Sequence, residues 1–155
     1  MPEAVLRTAA ESEVLELHGA RILLALTAAD TGGAYSLIDY TAPPGYGGPP
    51  PHWHRRGGEL LYLVSGRLRV EVDGQEHDLW PSDAVHVPAG VVHRFSNPFE
   101  SHARFLAQTW PGGIEEYFRG LVRIAHASPD WPPSDHAELD ALAWAHDIHP
   151  PPALP

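Results

Sequence analysis

Between residues 12 and 108 short apolar runs alternate with pairs of turn-forming residues, a rhythm that leaves no room for long helices. Val14-Leu15-Glu16-Leu17 is followed, after His18-Gly19, by Arg21-Ile22-Leu23-Leu24-Ala25-Leu26. Asp30-Thr31-Gly32-Gly33 then turns the chain into Tyr35-Ser36-Leu37-Ile38-Asp39-Tyr40. Leu60 to Val64, Leu68 to Val72, Glu76 to Leu79, Ala84 to Val87, Val92 to Ser96 and Arg104 to Gln108 continue the series. Leu68-Arg69-Val70-Glu71-Val72 alternates apolar and charged side chains as a half-buried strand does, and Asp73-Gly74 behind it is a hairpin turn. Strands this close together, with no helix between them, predict an all-β antiparallel sandwich or barrel, not a parallel α/β sheet.

At 155 residues the chain is long enough to bury a sizeable core, so one domain over 1–155 is expected, with the barrel over about 12–110. After Trp110-Pro111-Gly112-Gly113 the period changes: Ile114, Phe118, Leu121, Val122 and Ala125 recur at helical spacing. A second helix is expected near Asp135, with Glu138 completing a capping box and Leu139, Leu142 and Ala143 as its apolar stripe. This helical extension covers about 113–147, and Pro150-Pro151-Pro152 ends the folded part.

Twenty acidic residues against ten Lys plus Arg give a net charge of -10, which repels nucleic acid and anionic lipid. Neither is expected as a partner. The absence of Cys excludes disulfides, thiolate metal sites and Cys nucleophiles, so any metal must be held by nitrogen and oxygen. Met1-Pro2-Glu3 opens a segment with no basic start, and no window reaches the roughly 18 apolar residues of a membrane span. The cytoplasm is therefore the expected address.

The loop from Pro43 to Pro51, rich in Pro and Gly, cannot continue a ladder and stops abruptly at His52-Trp53-His54. Two histidines at i and i+2 of a strand point to one face, so both imidazoles can reach one ion while Trp53 faces away. Glu59 can add an oxygen ligand if it opens the next strand of a hairpin across Arg55-Arg56-Gly57-Gly58. In Pro88-Ala89-Gly90-Val91-Val92-His93-Arg94-Phe95-Ser96-Asn97 a turn launches a strand that places His93, Phe95 and Asn97 on one face, making His93 the fourth ligand. Three imidazoles and a carboxylate suit one divalent transition ion, Fe, Ni, Mn, Cu or Zn, without choosing among them. An open coordination position would mark a catalytic site.

Around this set, Leu61, Leu63, Val70 and Phe95 are expected as pocket walls, with His86 facing the cavity or pointing outward. Asn97 either orients His93 or finishes its strand, and Tyr62, out of phase with Glu59, packs outside. Arg55 and Arg56 are read as solvated loop residues able to attract an anion. His18, His77, His102, His126, His136, His146 and His149 are read as structural or solvated.

His52, His54, Glu59 and Gly66, then Pro88, Gly90, His93 and Asn97, resemble at their spacing the two motifs of the cupin superfamily, spanning residues 45–97. Tyr46 and Ser82 stand where the family pattern has glycine. The resemblance implies a cupin double-stranded β-helix, a jelly-roll barrel, with one or two C-terminal α-helices. The Gly113-Ile114-Glu115-Glu116-Tyr117-Phe118 helix behind the barrel is similar to that of small bacterial cupins related to quercetin 2,3-dioxygenase. It implies a dioxygenase that cleaves a flavonol-like, aromatic or enolic small molecule, with Glu59 both ligand and base. The same ligands are compatible with an isomerase, cyclase, decarboxylase or lyase, or with a non-catalytic binding module. Cupins pair through outer strands, so a homodimer is expected, with Ala20 to Leu26 as the edge.

Overall fold

The computed structural model describes residues 3–152. Nine strands are seen among them: β1 Val14–Leu17, β2 Ala20–Leu26, β3 Ser36–Ala42, β4 Gly58–Ser65, β5 Leu68–Val72, β6 Gln75–Leu79, β7 Ala84–Val87, β8 His93–Ser96 and β9 Ala103–Trp110. They form a six-stranded sheet, β1-β2-β3-β9-β4-β7, and a three-stranded sheet, β6-β5-β8. All their pairings are antiparallel. Two of the tight turns use consecutive left-handed residues, His18-Gly19 and Asp73-Gly74, the geometry that matches the twist of a two-residue hairpin.

The expected alternation is present. In β3 Ser36, Ile38, Tyr40 and Ala42 face inward, and in β9 Ala103, Phe105, Ala107 and Thr109 do so. With Ile22, Leu61, Leu63, Leu68 and Val70 these fill the space between the sheets. Tyr40 stacks on Phe105 at 5.0 Å, and Phe95 meets Tyr40 edge-on at 5.3 Å. Each such large side chain contributes about 2 kcal/mol by leaving water. Gly66, at φ +81, turns β4 into β5; a Cβ there would lie 2.1 Å from the His102 carbonyl oxygen.

Three expectations for the barrel are corrected. His52–His54 is not a hairpin arm of β4. His52 bridges His93 and Trp53 bridges His149, so the segment extends the small sheet while β4 lies in the large one, between β9 and β7. The strand order also places β2 inside its sheet, paired on both sides by β1 and β3, so Ala20 to Leu26 is no edge. And one helical turn, α1 Ala28–Thr31, does interrupt the strands where only a turn was expected. Asp30 closes a capping box there on Thr27, a local alternative to extended backbone.

Behind the barrel, α2 Ile114–Ala127 lays Ile114, Phe118, Leu121, Val122 and Ala125 against the core, as its period predicts. Glu115 anchors it: the buried carboxylate accepts hydrogen bonds from the Ala28 amide (2.8 Å) and the Ser36 hydroxyl (2.6 Å). α3 Ala137–Ala145 packs on α2, with Leu142 over Gly120. Its N-cap is His136, without a side-chain cap; Asp135 accepts from the Ala137 amide, and the expected capping box with Glu138 is absent. No helix of the described residues is long and apolar enough to cross a membrane.

Candidate metal centre

His52 and His54 lie on the segment after the Pro/Gly loop, His93 starts β8, and Glu59 is the second residue of β4. The sheets face one another, so the four side chains meet although they come from both. Their ligand atoms all lie within 4.8 Å of one another. His54, Glu59 and His93 are buried. The i, i+2 spacing carries both histidines to one side, as expected for extended backbone.

Each imidazole donates its Nδ1–H to a backbone carbonyl: His52 to Pro50 at 2.9 Å, His54 to Asp147 at 3.0 Å and His93 to Val91 at 3.0 Å. A carbonyl can only accept, so Nδ1 carries the proton in all three and the Nε2 atoms are turned inward. Three such nitrogens and a carboxylate, in a chain without cysteine, fit a borderline-hard divalent ion.

The charges agree with that use. Burial pushes His52 down to about 4, and the neighbouring His93 adds to the effect. Burial also lowers His54. For Glu59 burial acts upward, but the His93 hydrogen bond and the surrounding imidazoles hold it below the ordinary carboxyl value. His93 is pulled down by burial yet ends raised, because its Nε2 lies 2.9 Å from Glu59 Oε2.

Beside His54 a cavity opens, lined by Arg56, Gly57, Gly58, Thr109, Trp110, the Pro111–Ile114 turn and Ala145–Asp147. The Thr109 hydroxyl is buried on this wall, opposite Glu59 in the β4–β9 register, and has no hydrogen-bond partner among the described residues. The walls expected from the sequence are not these. Leu61, Leu63 and Val70 are packed into the core, and Phe95 is wedged among Tyr40 and Phe105. His86 is exposed and stacks on Trp110 at 5.5 Å, outside the centre. Asn97 does not reach His93. It is fully buried, its amide donating to Ala42, Pro43 and Ser101 carbonyls and its Oδ1 accepting from the Phe99 amide, so it ties loops together. Tyr62 is on the outer face.

Two residues escaped the sequence reading. Asp147 is the acceptor for His54, and no local pattern announces it. Thr109 was legible only as an inward position of β9, two residues after Ala107.

Residues 39–109 match the family described as Cupin domain. Over 93 residues the chain is 32% identical to quercetin 2,3-dioxygenase of Bacillus subtilis (strain 168), a match covering 59% of this chain and 27% of that enzyme. The matched stretch is thus well under half the length of that relative. Among solved structures, KdgF from Halomonas sp. superposes with TM-score 0.61 at 19% identity, covering 70% of this chain and 94% of that one. The polyketide cyclase RemF from Streptomyces resistomycificus does so with TM-score 0.58 at 19% identity, covering 70% and 79%. At such identities the two structures speak for the fold alone.

Proposed function

The chain belongs to the cupin superfamily, and from that membership we propose that it is a metal-dependent enzyme acting on a small organic molecule, a dioxygenase of the flavonol-cleaving type. The observation that carries the reading is the convergence of three inward Nε2 atoms and the Glu59 carboxylate beside an open cavity. The 32% identity to the Bacillus subtilis quercetin 2,3-dioxygenase supports the choice of substrate class.

His52, His54, Glu59 and His93 would hold the ion, which supplies Lewis acidity and, where redox-active, electron exchange with dioxygen. Glu59 Oε2, held as a carboxylate next to His93, is the base that takes the proton of an enolic hydroxyl. The Thr109 hydroxyl, otherwise unpaired, donates to a substrate oxygen. Trp110 and Ile114 shield the reacting atoms from water, and Arg56 at the rim attracts an anionic substrate. The same reading keeps a homodimer, paired through β1 instead of β2; sedimentation equilibrium tests it.

The experiment is to strip the protein with chelator, reload it separately with Fe, Ni, Mn, Cu and Zn, and follow a flavonol and dissolved dioxygen together. Equal loss of both is expected. Flavonol conversion without dioxygen uptake would move the assignment to the non-oxidative isomerase, cyclase, decarboxylase or lyase class, and tight binding without product to a binding module. A protein that takes up none of the five metals would overturn the whole reading.

A further inference from the structure

The three imidazoles differ in where their orientation comes from. His52 and His93 find their carbonyl acceptors two residues away, at Pro50 and Val91, so the loops that carry them also aim them. His54 finds its acceptor 93 residues away, at Asp147. Its Nδ1–H is therefore satisfied only when the C-terminal strap, Asp147–Pro150, lies in place.

That strap is built to lie there. It runs antiparallel to the His52–His54 segment, with the Trp53 amide donating to the His149 carbonyl (2.9 Å) and the His149 amide to the Trp53 carbonyl (3.0 Å). The Trp53 indole donates to the Pro150 carbonyl at 2.9 Å. The buried His149 ring rests between Trp53 (4.9 Å) and Trp144 (4.5 Å). Asp147 is left-handed at φ 61, which turns its carbonyl toward His54 and its carboxylate toward the Arg55 and Arg56 amides, at 3.1 and 2.8 Å. The same carboxylate receives His149 Nε2 at 2.9 Å. One residue thus grips the backbone on the C-terminal side of His54 and the ring of His54 itself.

We infer that strap docking and metal binding are linked, with Asp147 as the positioning residue through which the strap completes the site. The inference rests on the reading of His52, His54, Glu59 and His93 as a metal centre. Linkage is reciprocal: if the docked strap raises the affinity for the ion, the ion holds the strap down by the same factor.

The test uses Co2+ as probe and the full chain in three forms: native, Asp147→Gly and Asp147→Asn. Gly keeps the left-handed backbone and removes the carboxylate, whereas Asn keeps an acceptor and tolerates that backbone. Asp147→Gly keeps the carbonyl that His54 uses but removes the carboxylate that holds the strap on the Arg55 and Arg56 amides and on His149. A loosened strap takes the carbonyl away from His54, and since loss of an outer partner of a metal ligand typically costs about 10–100-fold in metal affinity, Asp147→Gly should bind Co2+ more weakly by up to about that factor, with Asp147→Asn closer to native. In the native chain Co2+ should slow amide hydrogen exchange at His149, on the strap and far from the ligands in sequence, while leaving β6 unchanged, a response that a purely structural strap would not give. A native chain that binds no Co2+ would sink the metal reading. A native chain that binds Co2+, with Asp147→Gly equal to it, would sink the linkage alone. Should Asp147→Gly fail to fold, the native exchange decides: an unaltered rate at His149 on Co2+ binding overturns the inference.

Discussion

His93 donates from both ring nitrogens, Nδ1 to the Val91 carbonyl and Nε2 to Glu59 Oε2 at 2.9 Å, and the carboxylate raises its affinity for the proton. An ion that takes Nε2 as ligand must displace that proton. His52, drawn down to about 4, is neutral near pH 7 and has none to give.

Metal titration below the raised His93 value is therefore expected to release a proton for each ion that takes His93 Nε2, and the release should fade as the pH rises through that value. Below that point each lost proton makes the apparent affinity fall about tenfold per pH unit. Calorimetry of the chelator-stripped protein in buffers of different ionisation heat measures the release directly. A proton release that does not change with pH would contradict a charged His93–Glu59 pair.

Acid should also weaken the stripped protein itself. The folded value of His52, about 4, lies below its ordinary 6.5, so the unfolded chain binds more protons in that interval and stability falls as the pH drops from 6.5 toward 4. His54 acts in the same direction. Glu59, lowered from 4.5, contributes stability that is present above 4.5 and lost as the pH falls through its folded value. His93 is opposite in sign: its contribution is complete below 6.5 and is lost as the pH rises through its folded value. Urea midpoints from pH 7 to 4 should thus decline in native protein and decline less in His52→Leu. Parallel curves would refute the assignment to His52.

Replacing ligands should separate binding from folding. His52→Ala and Glu59→Gln each alter a candidate ligand and leave the apolar side chains of the core, Leu61, Leu63 and Phe105 among them, in place, so far-ultraviolet circular dichroism should be retained. Losing one of four ligands should lower metal affinity more than the roughly 10–100-fold of an outer partner. His86→Ala, changed on the outer face, should bind as native does. Equal affinity in all three variants would exclude this cluster as the centre.

Asn97→Ala should be the reverse, costly to the fold and mild for the metal. Removing the amide takes the shared NH2 donor from the Ala42, Pro43 and Ser101 carbonyls and the acceptor from the Phe99 N–H, an expected loss of about 3 kcal/mol. Denaturant unfolding gives the loss and a metal titration the stoichiometry. A stable Asn97→Ala protein with no metal would reinstate a direct role at His93.

Ser82 stands at φ 79, the left-handed backbone of the glycine it replaces in the family pattern. Ser82→Gly should gain about 0.5–1 kcal/mol, because relief of that conformation exceeds the added freedom of the unfolded chain. A rise in Tm of about 1–4 °C is expected; a fall would mean that the serine side chain contributes more than its backbone costs.

Much of this was written locally. Strand alternation in Ser36–Ala42 and Leu68–Val72, the Asp73-Gly74 hairpin and the helical period after Gly113 depend on neighbours within a few residues, and the residues alone showed them. The i, i+2 pair His52 and His54 is local in the same sense. Strand phase left alternatives open where turns intervene, and the structure chose between them: His86 sits three residues after Asp83 and faces Trp110, and Asn97 bonds to loops, because register is set by partner strands that a linear pattern does not name.

The sequence by itself determined which residue types could hold an ion and that they would ride on short strands. Only the tertiary structure decided who stands next to whom: His52 beside His93 and not beside β4, the core claiming Leu61, Leu63 and Val70, and the Asp147 carbonyl meeting His54. The reason is physical. Spacing along the chain fixes the direction of a side chain relative to its own backbone, whereas a partner 93 residues away is chosen by the packing of the whole barrel and the helices behind it.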